Sequence, residues 1–120
     1  DLGGDARRAT IEGAYGAMRS ASAIVHSAAL ANGTNPGTID LEGETINLTN
    51  NYPDGSLAGI TLASGILAED YTITVGGTPA TDAVTIDAIG ATTPATCRVS
   101  YTPAIAGNAP AIEIVSTAGC

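Results

Sequence analysis

The spacing of the apolar residues changes from helical to mainly alternating near residue 32, and no other feature narrows the fold as much. From about residue 5 to residue 31, apolar or small side chains recur at Ile11, Ala14, Tyr15, Met18, Ala21, Val25, Ala28 and Ala29. That spacing draws one stripe along an α-helix, and such a stripe has to be covered. Asp5 is placed to cap the start and Asn32-Gly33 to stop the end. Arg8 and Glu12 stand four apart and can pair on one flank, in the weaker of the two orders. After residue 32 the period becomes two. Thr38-Ile39-Asp40-Leu41-Glu42 and Thr45-Ile46-Asn47-Leu48 alternate around Gly43 and predict a short hairpin. Asn50-Asn51-Tyr52-Pro53-Asp54-Gly55 is dense turn chemistry. Ser56 is placed to cap a short helix through Leu57, Ile60, Leu62 and Ala63, ending near Gly65. Strands are predicted over Tyr71-Val75, Ala83-Ala88, Thr96-Thr102 and Ile112-Ser116. Short links between consecutive strands favour an antiparallel sheet. The expectation is one α+β domain over residues 1–120, with a long amphipathic N-terminal helix packed on one face of that sheet.

The far side of the helix is unusual. Where a surface helix carries Lys, Glu and Gln, this one shows Ala9, Gly13, Gly16, Ser20, Ala23 and Ser27. Each glycine inside a helix costs about 1 kcal/mol relative to alanine. Small side chains let another backbone come close. The second face is therefore expected to pack against neighbouring subunits.

The core has to be built without Phe or Trp, so it lacks the rings that bury most area per residue. A thin core of this kind needs a staple or an assembly. Two cysteines supply a candidate. Cys97 and Cys120 have no CxxC spacing and only one histidine accompanies them, which argues against a redox motif or a zinc site. A disulfide is the natural reading, and it implies an oxidising compartment. Closing a loop of about 24 residues contributes roughly 3.5 kcal/mol on the chain-entropy argument. Placed at the start of one strand and after the last, the bond is expected to clip the sheet edge and hold the tail.

Charge is divided unevenly. The chain has a net charge of −8 and no lysine. Arg7, Arg8 and Arg19 balance Asp1, Asp5 and Glu12, while nine later acidic residues face Arg98 alone. An acidic head of this kind argues against nucleic acid and against anionic lipid.

No catalytic set, cofactor motif or metal set is legible. His26, the one histidine, reads as a solvated flank residue beside Arg19. No serine has a GxSxG context. Gly76-Gly77 reads as a turn, since no phosphate-loop pattern completes it. Asp40, Glu42 and Glu44 alternate along the hairpin and read as a solvated strand face, with weak Ca²⁺ binding as the alternative. Asn32-Gly33-Thr34 and Asn47-Leu48-Thr49 match the glycosylation sequon, a pattern frequent by chance. Aromatics are too few for a stacking platform on nucleic acid.

Several stretches carry a resemblance. They are Asp1-Leu2, Asp5-Ala6-Arg7, Ala9-Thr10 and Gly13, then Ala23-Ile24-Val25-His26-Ser27 and Asn51-Tyr52-Pro53. Ala95-Thr96-Cys97-Arg98-Val99-Ser100-Tyr101-Thr102 and the ending Ser116-Thr117-Ala118-Gly119-Cys120 complete them. In order and spacing the chain resembles a type IV pilin, nearest the mannose-sensitive haemagglutinin type. The resemblance implies the type IV pilin fold: helix at about 5–31, an αβ-loop at about 32–70, and a sheet with a disulfide-bounded region at about 71–120. It also implies an apolar N-terminal helix that anchors the subunit in the inner membrane and later forms the filament core. Asp1 resembles a position just after that helix, so the sequence reads as a shortened form. The implied function is polymerisation into a surface pilus for attachment and biofilm formation, with other pilin subunits and the assembly machinery as partners. A minor pilin or a type II secretion pseudopilin shares the architecture. A secreted carbohydrate-binding adhesin domain is the reading from another class, and the scarcity of aromatic rings counts against it.

Overall fold

The computed structural model describes residues 2–33 and 35–120, the side chain of Leu2 excepted. Asp1 and Thr34 lie outside the described residues, and with them one acidic charge and the third residue of the first sequon. A single helix, α1 (Leu2–Asn32), runs the length of a molecule measuring 48 × 25 × 20 Å. At about 1.5 Å per residue, a helix of this length spans the long axis alone. It starts earlier than expected, so Asp5 is an acidic residue of the first turn and not the cap. There it favours the positive end of the helix dipole and meets Arg8 at 3.8 Å, in place of the expected Arg8–Glu12 pair. The helix ends as expected, with Gly33 at φ +136° beyond Asn32.

The predicted stripe is buried at Ile11, Ala14, Met18, Ala21, Val25 and Ala29, while Tyr15 and Ala28 are half-buried. Two sheets cover it where one was expected. The first is a three-stranded antiparallel sheet of β1 (Thr38–Leu41), β2 (Glu44–Thr49) and β3 (Tyr52–Pro53). Leu41 pairs with Glu44 and Thr49 with Tyr52, so two residues make each turn. Glu42 and Gly43 take φ +48° and +82°, and Asn50 and Asn51 take +51° and +66°. Paired left-handed residues give a turn whose twist matches that of the strands it joins. The segment read as turn chemistry therefore makes a turn and then a strand.

A short irregular helix over Leu57–Thr61 continues into one α-turn, α2 (Leu62–Ser64), and stops at Gly65. Ser56 precedes it as expected, but its hydroxyl does not cap the helix. Asp54 accepts from both the backbone N–H and the hydroxyl of Ser56, at 2.9 and 2.5 Å. The Asp54 carboxylate and carbonyl also press on Gly59, where a Cβ has no room.

The second sheet is an antiparallel meander in the order β4 (Tyr71–Thr74), β5 (Val84–Ala88), β6 (Arg98–Thr102), β7 (Ala111–Ser116). Val84, Ile86, Ala88, Val99 and Tyr101 point from it at Ile11, Ala14 and Met18. On the other face, Asp87 and Arg98 stand opposite each other and join through two hydrogen bonds of 2.6 and 2.8 Å. That bond raises the Arg98 pKa further above its ordinary value. The C-terminal half of α1 is covered separately, by Ile39, Ile46 and Leu48 against Val25 and Ala29.

Candidate binding groove

Cys97 and Cys120 form the expected disulfide, with Cα atoms 4.7 Å apart. Cys97 is fully buried and precedes β6, an inner strand, so the bond does not clip an edge at both ends. It returns the segment leaving edge strand β7 to the inner strand's start. Gly119 fixes the approach: its N–H donates to the Thr96 carbonyl, its own carbonyl accepts from Thr93, and a Cβ there would collide with both residues. Arg7 adds a tie from the helix, donating from Nε to the Cys120 carbonyl at 2.5 Å. Disulfides of this structural kind belong to oxidising compartments.

The small-residue face is as the spacing placed it. Ala9, Gly13, Gly16, Ser20, Ala23 and Ser27 are all exposed, and a Cβ at Gly13 or Gly16 would touch nothing. Asp40 and Glu44 are exposed on the hairpin, and Thr45 donates to Asp40 at 2.7 Å. Among the described residues, no three His, Cys, Asp or Glu side chains are grouped to hold a metal ion. No described helix is long and apolar enough to cross a membrane.

What the sequence did not reveal is a groove of about 400 Å³ on the flank between the core stripe and the small face. Tyr15, Arg19, Ser22 and His26 line it from α1, at spacings of four, three and four that keep them on one side of a helix. Tyr52 and the Ala109–Ile112 approach to β7 form its other walls. The left-handed Asn50-Asn51 turn brings Tyr52 onto His26, with ring centroids 3.9 Å apart and planes within 3°. His26 Nδ1 lies 3.0 Å from the Asn51 carbonyl, which can only accept. Nδ1 therefore carries a proton, and in the neutral ring Nε2 is left as an acceptor. This corrects the reading of His26 as a solvated flank residue.

Arg19 lies 5.6 Å from the centre of the Tyr15 ring and donates from Nη1 to its hydroxyl at 2.9 Å. Its other guanidinium donors remain available. Behind the groove, the fully buried Tyr101 donates its hydroxyl proton to the Pro53 carbonyl. Burial pushes the Tyr101 pKa well above the ordinary tyrosine value, with the neighbouring Ser22 side chain pulling the other way. The helical spacing of Tyr15, Arg19, Ser22 and His26 was visible in the sequence, but nothing there placed Tyr52 beside them. No family model, no curated protein and no solved structure matches this chain.

Proposed function

We propose that this chain is the head of a type IV pilin, a non-catalytic subunit that polymerises into a surface filament for attachment and biofilm formation. The observation that carries the reading is the two-sided helix. One side of α1 closes the core, while the opposite side presents Ala9, Gly13, Gly16, Ser20, Ala23 and Ser27, all small and all exposed. Two interior glycines weaken a helix that only faces water. They suit one against which other helices pack closely. The order of long helix, loop region, antiparallel sheet and disulfide-tied C-terminal region supports the same reading. In this reading an apolar N-terminal extension holds the subunit in the inner membrane until the assembly machinery draws it into the extracellular pilus. Cysteines introduced as Gly16→Cys and Ser20→Cys in the filament-forming protein test it. Oxidation is expected to produce ladders of cross-linked subunits. Filaments that assemble but give no inter-subunit cross-link at either position would sink the proposal.

A further inference from the structure

The groove gathers a large share of the chain's recognition chemistry. It holds the one histidine, two of the four tyrosines and Arg19. Arg8 and Arg98 each meet a carboxylate, whereas Arg19 has none within ion-pair distance among the described residues. Arg19 thus keeps a planar donor fork that no carboxylate of the described residues neutralises, and that fork matches the geometry of a carboxylate. The surrounding acidity sets a limit, because a polyanion such as nucleic acid would be repelled at longer range. One carboxylate on an otherwise neutral molecule meets a much smaller barrier, further screened by salt.

The walls narrow the ligand further. Rings and C–H groups from Tyr52, His26, Pro110 and Ile112 line it together with Arg19, Tyr15 and Ser27. Tyr15 accepts from Arg19, so its own proton is free to be donated. A ligand suited to this lining has an apolar C–H face, a rim of hydroxyls and one carboxylate. A cavity of about 400 Å³ lies within the range of small-molecule sites. We infer that the groove binds a carboxylated saccharide unit, a hexuronate or a sialic-acid-type sugar. Arg19 holds the carboxylate, His26 Nε2 accepts from a sugar hydroxyl, and the ring-lined wall meets the C–H face. The inference does not rest on filament assembly. Ala23 and Ser27 belong to both the groove and the small face, so in a filament a neighbouring subunit would compete with the ligand.

The test is a ¹H–¹⁵N NMR titration of the chain with glucuronate, galacturonate and N-acetylneuraminate, with glucose and acetate as controls. At least one acidic sugar is expected to give saturable shifts centred on Arg19, His26 and Tyr52. Glucose and acetate should each bind about tenfold more weakly, since each lacks half of the recognised chemistry. Arg19→Gln should weaken acidic-sugar binding by about tenfold and leave the remaining spectrum unchanged, because the side chain is exposed. An equal response to glucose overturns the role of Arg19. An equal response to acetate reduces the groove to a plain anion site and overturns the saccharide. Absence of saturable shifts with every acidic sugar overturns the inference outright. So do groove shifts that follow protein concentration without ligand, which would make a second copy of the chain the occupant.

Discussion

The two halves of α1 are covered by different means, and the contrast shows how a core without large rings can be completed. Toward the N-terminus, Ile11, Ala14 and Met18 meet a four-stranded sheet whose last two strands are tied by a cystine buried at Cys97 and half-buried at Cys120. Toward the C-terminus, Val25 and Ala29 meet three short strands whose buried contribution is Ile39, Ile46 and Leu48. The second region has no covalent closure and draws its shape from two tight turns of left-handed residues. Its contacts are local, so little loop entropy is lost in forming them. The sheet at the other end also pairs strands that follow one another, but it packs on helix residues far earlier in the chain, and the Cys97–Cys120 cross-link offsets part of that loss by lowering the entropy of the unfolded chain. Tyr101 bridges the two: its ring fills the larger cluster and its hydroxyl reaches Pro53 in β3.

The largest expected effect separates the halves. Cys120→Ala opens the loop from Cys97 and should cost about 3.5 kcal/mol. For a chain of this size that corresponds to a fall in Tm of about 10–15 °C. Hydrogen exchange gives the sharper readout. Amides of β6 and β7 should lose protection by a larger factor than those of β1 and β2, because the staple lies on the larger sheet alone. Equal melting under reducing and oxidising conditions would break the comparison, since both halves would then stand without the bond.

A smaller effect probes the bridge. Tyr101→Phe keeps the ring and leaves the Pro53 carbonyl without its donor, at a cost of about 1–1.5 kcal/mol. The tyrosine also makes stability depend on pH. Burial raises its pKa in the folded chain, so the native state keeps the proton after the unfolded chain has released it. The contribution is complete below the ordinary tyrosine value of about 10 and is lost as pH rises beyond it. Tyr71, half-buried and donating to the Thr10 carbonyl at 3.1 Å, shifts in the same direction through burial and then Asp70. Urea midpoints at pH 8 and pH 10.5 should therefore fall less in Tyr101→Phe than in the parent chain. Parallel falls would mean that the hydroxyl is wet and the two halves are not joined through it.

Legibility in the sequence follows the same division between local and distant. The helix stripe, the Thr38–Thr49 hairpin and the four later strands repeat on periods visible within a short window. Ser22 escaped because a polar residue on the stripe looks like a break in it, yet it is buried beside Tyr101. β3 escaped because two residues ending in proline carry no period. That the strands form two sheets depends on which strands pair, and alternation alone does not encode that. The disulfide was legible from cysteine arithmetic, but the inner position of Cys97 was not. The groove needed three segments at once, and its rings were read separately as a core residue, a turn residue and a solvated flank.

The smallest expected effect has the opposite sign and lies in the unstapled half. Asn51 holds φ +66° in the tight turn, and its side-chain oxygen is buried without a hydrogen-bond partner. Glycine reaches that conformation without a Cβ penalty, and Asn-Gly is the preferred pair for such a turn. Asn51→Gly removes the unpaired oxygen, a burial that costs about 1–3 kcal/mol where no partner is found. Against this stands the extra freedom of glycine in the unfolded chain, about 0.5–1 kcal/mol. The carbonyl that accepts from His26 belongs to the backbone and is retained. The net expectation is a gain of about 0.5 kcal/mol, read as a higher urea midpoint at an unchanged slope. A lower midpoint would show that the Asn51 side chain supports the turn, and that the hairpin half depends on side-chain bonds as well as on backbone geometry.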